Sequence, residues 1–517
     1  MVRTKLKMLG LLVVVGAWGW VSAASAADIT EVIDAFDEVL IEGKMVSDPF
    51  DLVIKPTFKQ VYEHAKISRE ANCLAGGGRC DEDTIVINKE MRYRRVINQM
   101  DLDFEIGAYK DLALSMKLPI VFSDVSSWKF AKNGGAACRW ENPDNPKCVN
   151  ETNSSLFPSQ DRIESDLLDP TSPFSTFSYF PLADGWTDGP SRSGVGDITF
   201  GIAWSPFNDV RSYNPEQPWL NDSGRSTLTL GLDYTAPTAE VAKVTNDAVG
   251  RGVHELALRV ATSRRFTYVD PYAQFQFGLP LPASDTLFKD YGGGQQRVGP
   301  GPWGDITVGI EFIPWESVTK EFQQFFKIDL RGRFGYVGEG RDYGPFFDAI
   351  GASACQGLTW SDVQSGGPRP ECGWIAEKWS NAGFENLVEV DPHGAQRNPN
   401  VALYDDGITN HEGFGRFAAQ IGFYLQPVQY VQLRLMAALE HEQGHFMTFS
   451  KAGKDVRGRT PDTDVPSEFE PKDGTVSFDD VKERNPTYNP TYDSVGNRFR
   501  KEETTIFTWA ISLAVQF

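Results

Sequence analysis

Along much of this chain large apolar residues fall on every second position, with small or polar ones between them. That is the two-residue repeat of a β-strand, whose successive side chains point to opposite faces. The last eleven positions show it without a break: Phe507, Trp509, Ile511, Leu513, Val515 and Phe517 alternate with Thr508, Ala510, Ser512, Ala514 and Gln516. Reading the whole chain for this period predicts twelve strands, over residues 50–64, 96–108, 112–122, 197–204, 227–234, 254–262, 269–281, 305–312, 326–336, 417–425, 431–441 and 505–517. Between 28 and 49 the spacing changes: Ile29, Val32, Ile33, Phe36, Val39 and Leu40 recur as on a helix, which predicts a short helix packed at the mouth of the strand assembly or plugging it.

The minor faces of these strands decide the architecture. Asp101, Asp103, Glu105, Lys117, Asp197, Asp233, Lys327, Asp329, Arg331, Arg333, Arg416 and Arg434 lie on or beside the polar faces, opposite rows of Leu, Ile, Val and Phe. A soluble sandwich buries its apolar face and wets the other. A transmembrane antiparallel β-barrel turns the apolar face to lipid and the charged one to a water-filled lumen. Connections add an asymmetry. Residues 109–111, 263–268 and 426–430 link strands by short turns, whereas the third, ninth and eleventh strands are followed by long loops. The expected fold class is therefore all-β, a barrel of about twelve strands with long extracellular loops and both termini periplasmic.

The N-terminus sets the compartment. Arg3, Lys5 and Lys7 precede an apolar run from Met8 to Val21, and Ala24-Ser25-Ala26 follows as a small-residue cleavage site. This predicts a signal peptide over 1–26, a periplasmic segment over 27–49 and the barrel over 50–517. The chain carries a formal charge of −20. No basic stripe exists to neutralise phosphates, so a nucleic-acid partner is not expected. The expected partners are outer-membrane lipid, the barrel assembly machinery and other envelope proteins of a Gram-negative bacterium. No cofactor is expected.

Six cysteines form three local pairs: Cys73 with Cys80, Cys138 with Cys148, and Cys355 with Cys372, each within a loop on the outer side. Exported chains favour disulfides between such neighbours, although six cysteines permit fifteen connectivities.

The closing segment resembles the final strand of bacterial outer-membrane barrels, which ends on Phe with apolar residues at alternate positions before it. Trp509, Ile511, Leu513, Val515 and Phe517 would then form the membrane-insertion signal. A Gly-Asp-Ile-Thr sequence occurs twice, at 196–199 and 304–307, and the longer Gly194-Val195-Gly196-Asp197 resembles a motif of outer-membrane transporters of the phenol-degradation MetA-like group. That resemblance implies a passive channel for small molecules and carries no catalytic residues.

Two motifs point elsewhere. His441-Glu442-Gln443-Gly444-His445 matches HExxH, which on a helix places two imidazoles beside a zinc ion with Glu as general base. The strand period runs straight into it, and on a strand His441 and Glu442 face opposite ways. Gly299 to Gly304 matches GxGxxG, but its two prolines and its position before a strand exclude a dinucleotide turn. The readings in order are a channel or small-solute transporter, a structural barrel anchoring a surface or envelope-spanning complex, and a surface metalloprotease using His441 and His445.

Overall fold

The computed structural model describes residues 30, 37–41, 44–48, 52–72, 85–109, 111–130, 186–208, 225–242, 246–283, 299–318, 323–346, 410–428, 430–448 and 498–516. Several expectations fall outside these residues. They are the disulfides pairing Cys73 with Cys80, Cys138 with Cys148 and Cys355 with Cys372, the terminal Phe517, and the signal peptide.

Twelve strands run up and down around one closed barrel. They are β1 (Leu52–Asn72), β2 (Ile85–Tyr109), β3 (Leu112–Phe130), β4 (Thr187–Val195 continued by Ile198–Asn208), β5 (Arg225–Ala236) and β6 (Val253–Arg265). The remainder are β7 (Val269–Pro282), β8 (Trp303–Val318), β9 (Gln323–Val337 with Gly340–Arg341), β10 (Asn410–His411 with Phe414–Val428), β11 (Val431–Glu442 with His445–Thr448) and β12 (Phe499–Lys501 with Thr504–Gln516). Every neighbouring pair is antiparallel, and β12 pairs with β1 through partners such as Trp509↔Gln60 and Ile511↔Phe58. Closure satisfies each backbone ladder within the wall and leaves no sheet edge.

All twelve expected strands are present, several longer than the alternation indicated. β2 begins at Ile85 rather than 96, and β3 continues to Phe130 rather than 122. At roughly 3.3 Å per residue, the 25 residues of β2 reach about 80 Å, far beyond a bilayer. The additions lie at the long-loop end, where exposed Lys89 and Arg92 stand in place of outward apolar residues.

The outer wall carries an apolar belt between two rings of aromatic side chains. Tyr109, Trp204, Phe207, Tyr268, Trp315 and Tyr430 are exposed near the end where β1 begins and β12 finishes. Phe200, Phe277, Tyr336, Phe417 and Phe507 are exposed near the other. Leu230, Val260, Val308, Leu330, Leu435, Ile511 and Leu513 fill the belt between, all at least 38% exposed. The register agrees: on β11 and β12, Leu435↔Ile511 and Leu433↔Leu513 share one face, and inward Arg434↔Ser512 the other.

The segment before the barrel corrects the helix expectation. Asp37–Ile41 and Lys44–Asp48 pair as an antiparallel hairpin, Val39↔Val46 and Leu40↔Met45 among the partners. The sequence between them is Glu42-Gly43, a two-residue Gly-containing link of the kind that joins hairpin strands, and that short-range signal outweighs the helical spacing. Upstream, Thr30 lies against the inner wall rather than on a surface. Its Oγ1 is 2.9 Å from Ser263 Oγ, its carbonyl accepts from Thr229 Oγ1 at 2.8 Å, and it is fully buried.

Candidate functional site

The polar inner wall is built from short-range ion pairs. Asp101 accepts from Lys59 of β1 at 3.0 Å and Lys117 of β3 at 2.9 Å, and Asp103 faces Lys55 at 3.9 Å. Glu105 follows on the same face of β2. Across the barrel, Lys327 meets Glu311 at 3.3 Å, Arg333 meets Glu440, and Arg331 meets Asp329. Asp329 is fully buried and also accepts from Tyr272 Oη at 2.6 Å. Arg434 lies over the Tyr424 ring at 5.4 Å and donates to Gln432. Asp233 sits over Gly201, in space that a β-carbon there would occupy. Charges removed from water require partners at hand. Among the described residues most of these charges find one on their own or a nearby strand, so acidic and basic groups are interleaved along this part of the inner wall.

Asp197, from the Gly194-Val195-Gly196-Asp197 motif, does something different from the strand-borne charges. Gly194 has φ +146°, a conformation that side chains rarely adopt, and β4 is interrupted there. The Asp197 carboxylate accepts from the backbone N–H of Ala239 at 3.0 Å and of Arg251 at 2.9 Å, tying down both ends of the β5–β6 connection. Arg192 holds its middle through the carbonyls of Asn246 and Ala248 at 3.1 Å each. The repeated motif at Asp305 serves another purpose: its carboxylate takes a two-pronged contact from Arg416, at 3.1 and 2.6 Å. One short pattern thus serves two roles.

The mouth at the long-loop end is crossed by the chain that leaves β9. Residues 342–346 touch the wall at three places spaced around the ring. Asp342 pairs with Arg251 and Tyr343 Oη donates to the Ala242 carbonyl at 3.2 Å, both in the β5–β6 connection. Trp128 Nε1 on β3, diametrically opposite β9, donates to the Pro345 carbonyl at 2.9 Å. Phe346 packs edge-on against Phe499 of β12, with ring centroids 4.9 Å apart. Phe346, Phe499 and Trp128 are fully buried, at 0%, 0% and 1% exposure. A segment that reaches three points around a ring must cross it.

Beneath this strap lies a cavity of about 390 Å³. Its aromatic lining comes from Tyr93, Trp303, Tyr343, His411, Phe414 and His445. Phe414 and His445 are stacked, 4.2 Å between centroids and 12° between planes, and His411 meets both rings edge-on. Charged groups complete it. Lys501 bridges Glu63 at 2.7 Å and Glu442 at 2.9 Å, while Arg251 reaches Glu255 at 3.1 Å as well as Asp342. Arg95 grips Asp124 through Nε at 2.8 Å and Nη2 at 2.6 Å, as Arg416 grips Asp305. Among the described residues, Arg95 and Arg416 each keep Nη1 uncommitted.

His445 lies beyond the loop-end aromatic ring, clear of the membrane-spanning belt. Burial, with Lys501 beside it, pushes its imidazole down to about 3. Its Nδ1–H donates to the Gln443 carbonyl at 3.1 Å, leaving Nε2 a bare acceptor at neutral pH. The unfolded chain takes up this proton near pH 6.5, so the native state loses stability as pH falls from 6.5 towards 3. His445→Phe removes that slope. Compared by urea unfolding in detergent, the variant should gain on wild type by a few kcal/mol between pH 7.5 and pH 4.

The HExxH expectation ends here. His441 is exposed on the outer face opposite Phe417, whereas His445 is buried inside the mouth and Glu442 is bound to Lys501. The two imidazoles lie on opposite sides of the wall, so the zinc-protease geometry is not formed. His441→Ala should leave the zinc content and the folded yield of the purified protein unchanged. The Gly299–Gly304 stretch is equally committed to structure: the Gly299 carbonyl accepts from Arg341 N at 2.9 Å and that of Pro302 from Gly338 N at 2.8 Å.

No protein-family model matches this chain, and no curated protein does. Among solved structures it is similar to the COG4313 outer-membrane channel from Pseudomonas putida F1, at 9% identity and TM-score 0.34, over 96% of this chain and 100% of that one. It is also similar to a Pseudomonas aeruginosa FadL homologue (7%, TM-score 0.25, 90% of each chain) and to the outer-membrane protease OmpT of Escherichia coli (7%, TM-score 0.24, 90% and 97%). Likenesses this distant decide nothing about activity. The fold rests on the closed ladder of this chain.

Proposed function

We propose that the protein is an outer-membrane barrel that passes small polar solutes through a lumen closed at rest. One observation carries the reading: an exposed apolar belt between two aromatic rings surrounds an inner wall of polar and charged side chains. Only a bilayer accommodates such an outer surface without burial, since its hydrocarbon meets the belt and its headgroups the aromatic rings. The predicted signal peptide and the apolar alternation of the closing strand support the outer membrane as that bilayer. In this orientation the termini lie in the periplasm and the strap faces outside. The fully buried ion pairs, the strap and Thr30 inside the wall favour a closed resting state, and the cavity beneath the strap is where a solute first meets the lumen.

Reconstitution into planar bilayers tests this. A small, fluctuating conductance together with solute entry into swelling liposomes is expected. Silence in both assays would remove the channel and leave a structural barrel that anchors other envelope proteins.

A further inference from the structure

We infer that the cavity beneath the strap is a recognition site for a neutral polyhydroxylated solute, of the size of a mono- or disaccharide. This rests on the transport reading and adds the class of solute to it.

The inference starts from charge. The lining holds four cationic and four anionic side chains, and two of the cations, Arg95 and Arg416, are already gripped from behind by Asp124 and Asp305. Counting those two carboxylates, the neighbourhood carries an excess of negative charge. An anion gains little in such a site. A cation meets two guanidinium edges.

The second consideration is what remains to be bonded. Among the described residues, Nη1 of Arg95 and Nη1 of Arg416 are donors without an acceptor. Nε2 of His445 is an acceptor without a donor, because its Nδ1 is committed to the Gln443 carbonyl. His411 repeats the arrangement, with Nδ1 3.1 Å from the Glu412 carbonyl. A hydroxyl both donates and accepts at a single atom, so a neutral solute bearing several satisfies both kinds of site at once. The aromatic side chains of the lining, Tyr93, Trp303, Tyr343 and Phe414, supply ring surface of the kind against which the C–H face of a sugar ring packs. A purely apolar ring fits that surface too. It would, however, strip water from charged groups without replacing their hydrogen bonds, a loss of about 1–3 kcal/mol for each neutral group and more for a charged one. The volume of about 390 Å³ suits a small organic molecule rather than a polymer.

The test uses the full-length protein in planar bilayers with two probes, sucrose and benzoate. Sucrose should block the current saturably, and benzoate at equal concentration should not. His445→Phe keeps the stack but removes the acceptor, and should weaken the sucrose block roughly three- to tenfold, the worth of one hydrogen bond. A block by benzoate but not by sucrose would overturn the inference, as would no block by either. If the bilayers are silent, the transport reading fails on its own. Saturation-transfer NMR of sucrose with the detergent-solubilised protein then decides the site: a saturable signal weakened in His445→Phe supports it, and no signal overturns it.

Discussion

The Trp128→Ala/Asp342→Ala double variant is expected to conduct at least about fivefold better than wild type, because it removes one of the three anchorages that hold the strap across the pore and weakens a second. Trp128 holds the Pro345 carbonyl on the wall opposite β9, and Asp342 is the strap's ion pair with Arg251. The Phe346–Phe499 contact and the Tyr343 hydrogen bond to the Ala242 carbonyl remain as tethers. Removing a fully buried Trp also costs the protein about 3–5 kcal/mol, so the variant's folded yield must be checked on the same preparation. Single-channel recording reads the outcome. An unchanged current from folded protein would show that the strap is not the constriction, and would move attention to the terminal end, where Thr30 lies against the inner wall.

Ile511→Arg is expected to destabilise the barrel in lipid by about 2–4 kcal/mol, and Thr505→Arg on the same strand by no more than about 1 kcal/mol. Both positions face outward and both are exposed. They differ in depth: Ile511 lies mid-belt, level with Phe58 and Leu435, while Thr505 lies beyond the Phe507 ring. Burying a guanidinium in hydrocarbon costs most at the bilayer centre and falls towards its surfaces. Urea unfolding from liposomes measures both. Equal costs at the two depths would mean that water, not lipid, surrounds this face.

How far the chain reveals its own structure depends on which physical signal each part carries. The belt was legible because lipid demands an apolar residue at every second position, and Phe507 to Val515 or Leu228 to Leu232 can meet that demand in only one way. Strand ends were not. Above the belt β2 and β3 meet water on the outside, so residues such as Lys89 and Arg92 serve as well as leucine and the alternation fades. The segment 28–49 misleads because Ile29, Val32, Ile33 and Phe36 have helical spacing, while the hairpin at 37–48 depends on a two-residue link. The ion pairs of the inner wall were not legible, since Asp305 meets Arg416 and Arg333 meets Glu440 across an intervening strand, which the alternation of one strand does not reveal. The cavity under the strap was the least legible. Glu63, Arg95, Trp303, His411 and Lys501 come from five strands and share no motif. Their one common signal is a charged or aromatic residue on the inward face just above the loop-end aromatic ring. His445 was visible, but within a motif that pointed to zinc.

The central claim is that lipid lies outside this ring of strands and water within it. Spin labels placed singly at Val260, Leu435 and Ile511 on one face, and at Lys59 and Lys117 on the other, test it by collision with oxygen and with a water-soluble nickel chelate in liposomes. Oxygen should dominate at the first three positions and the chelate at the last two. The opposite order, or labels at Val260 and Ile511 shielded from both reagents as in a packed protein core, would contradict it.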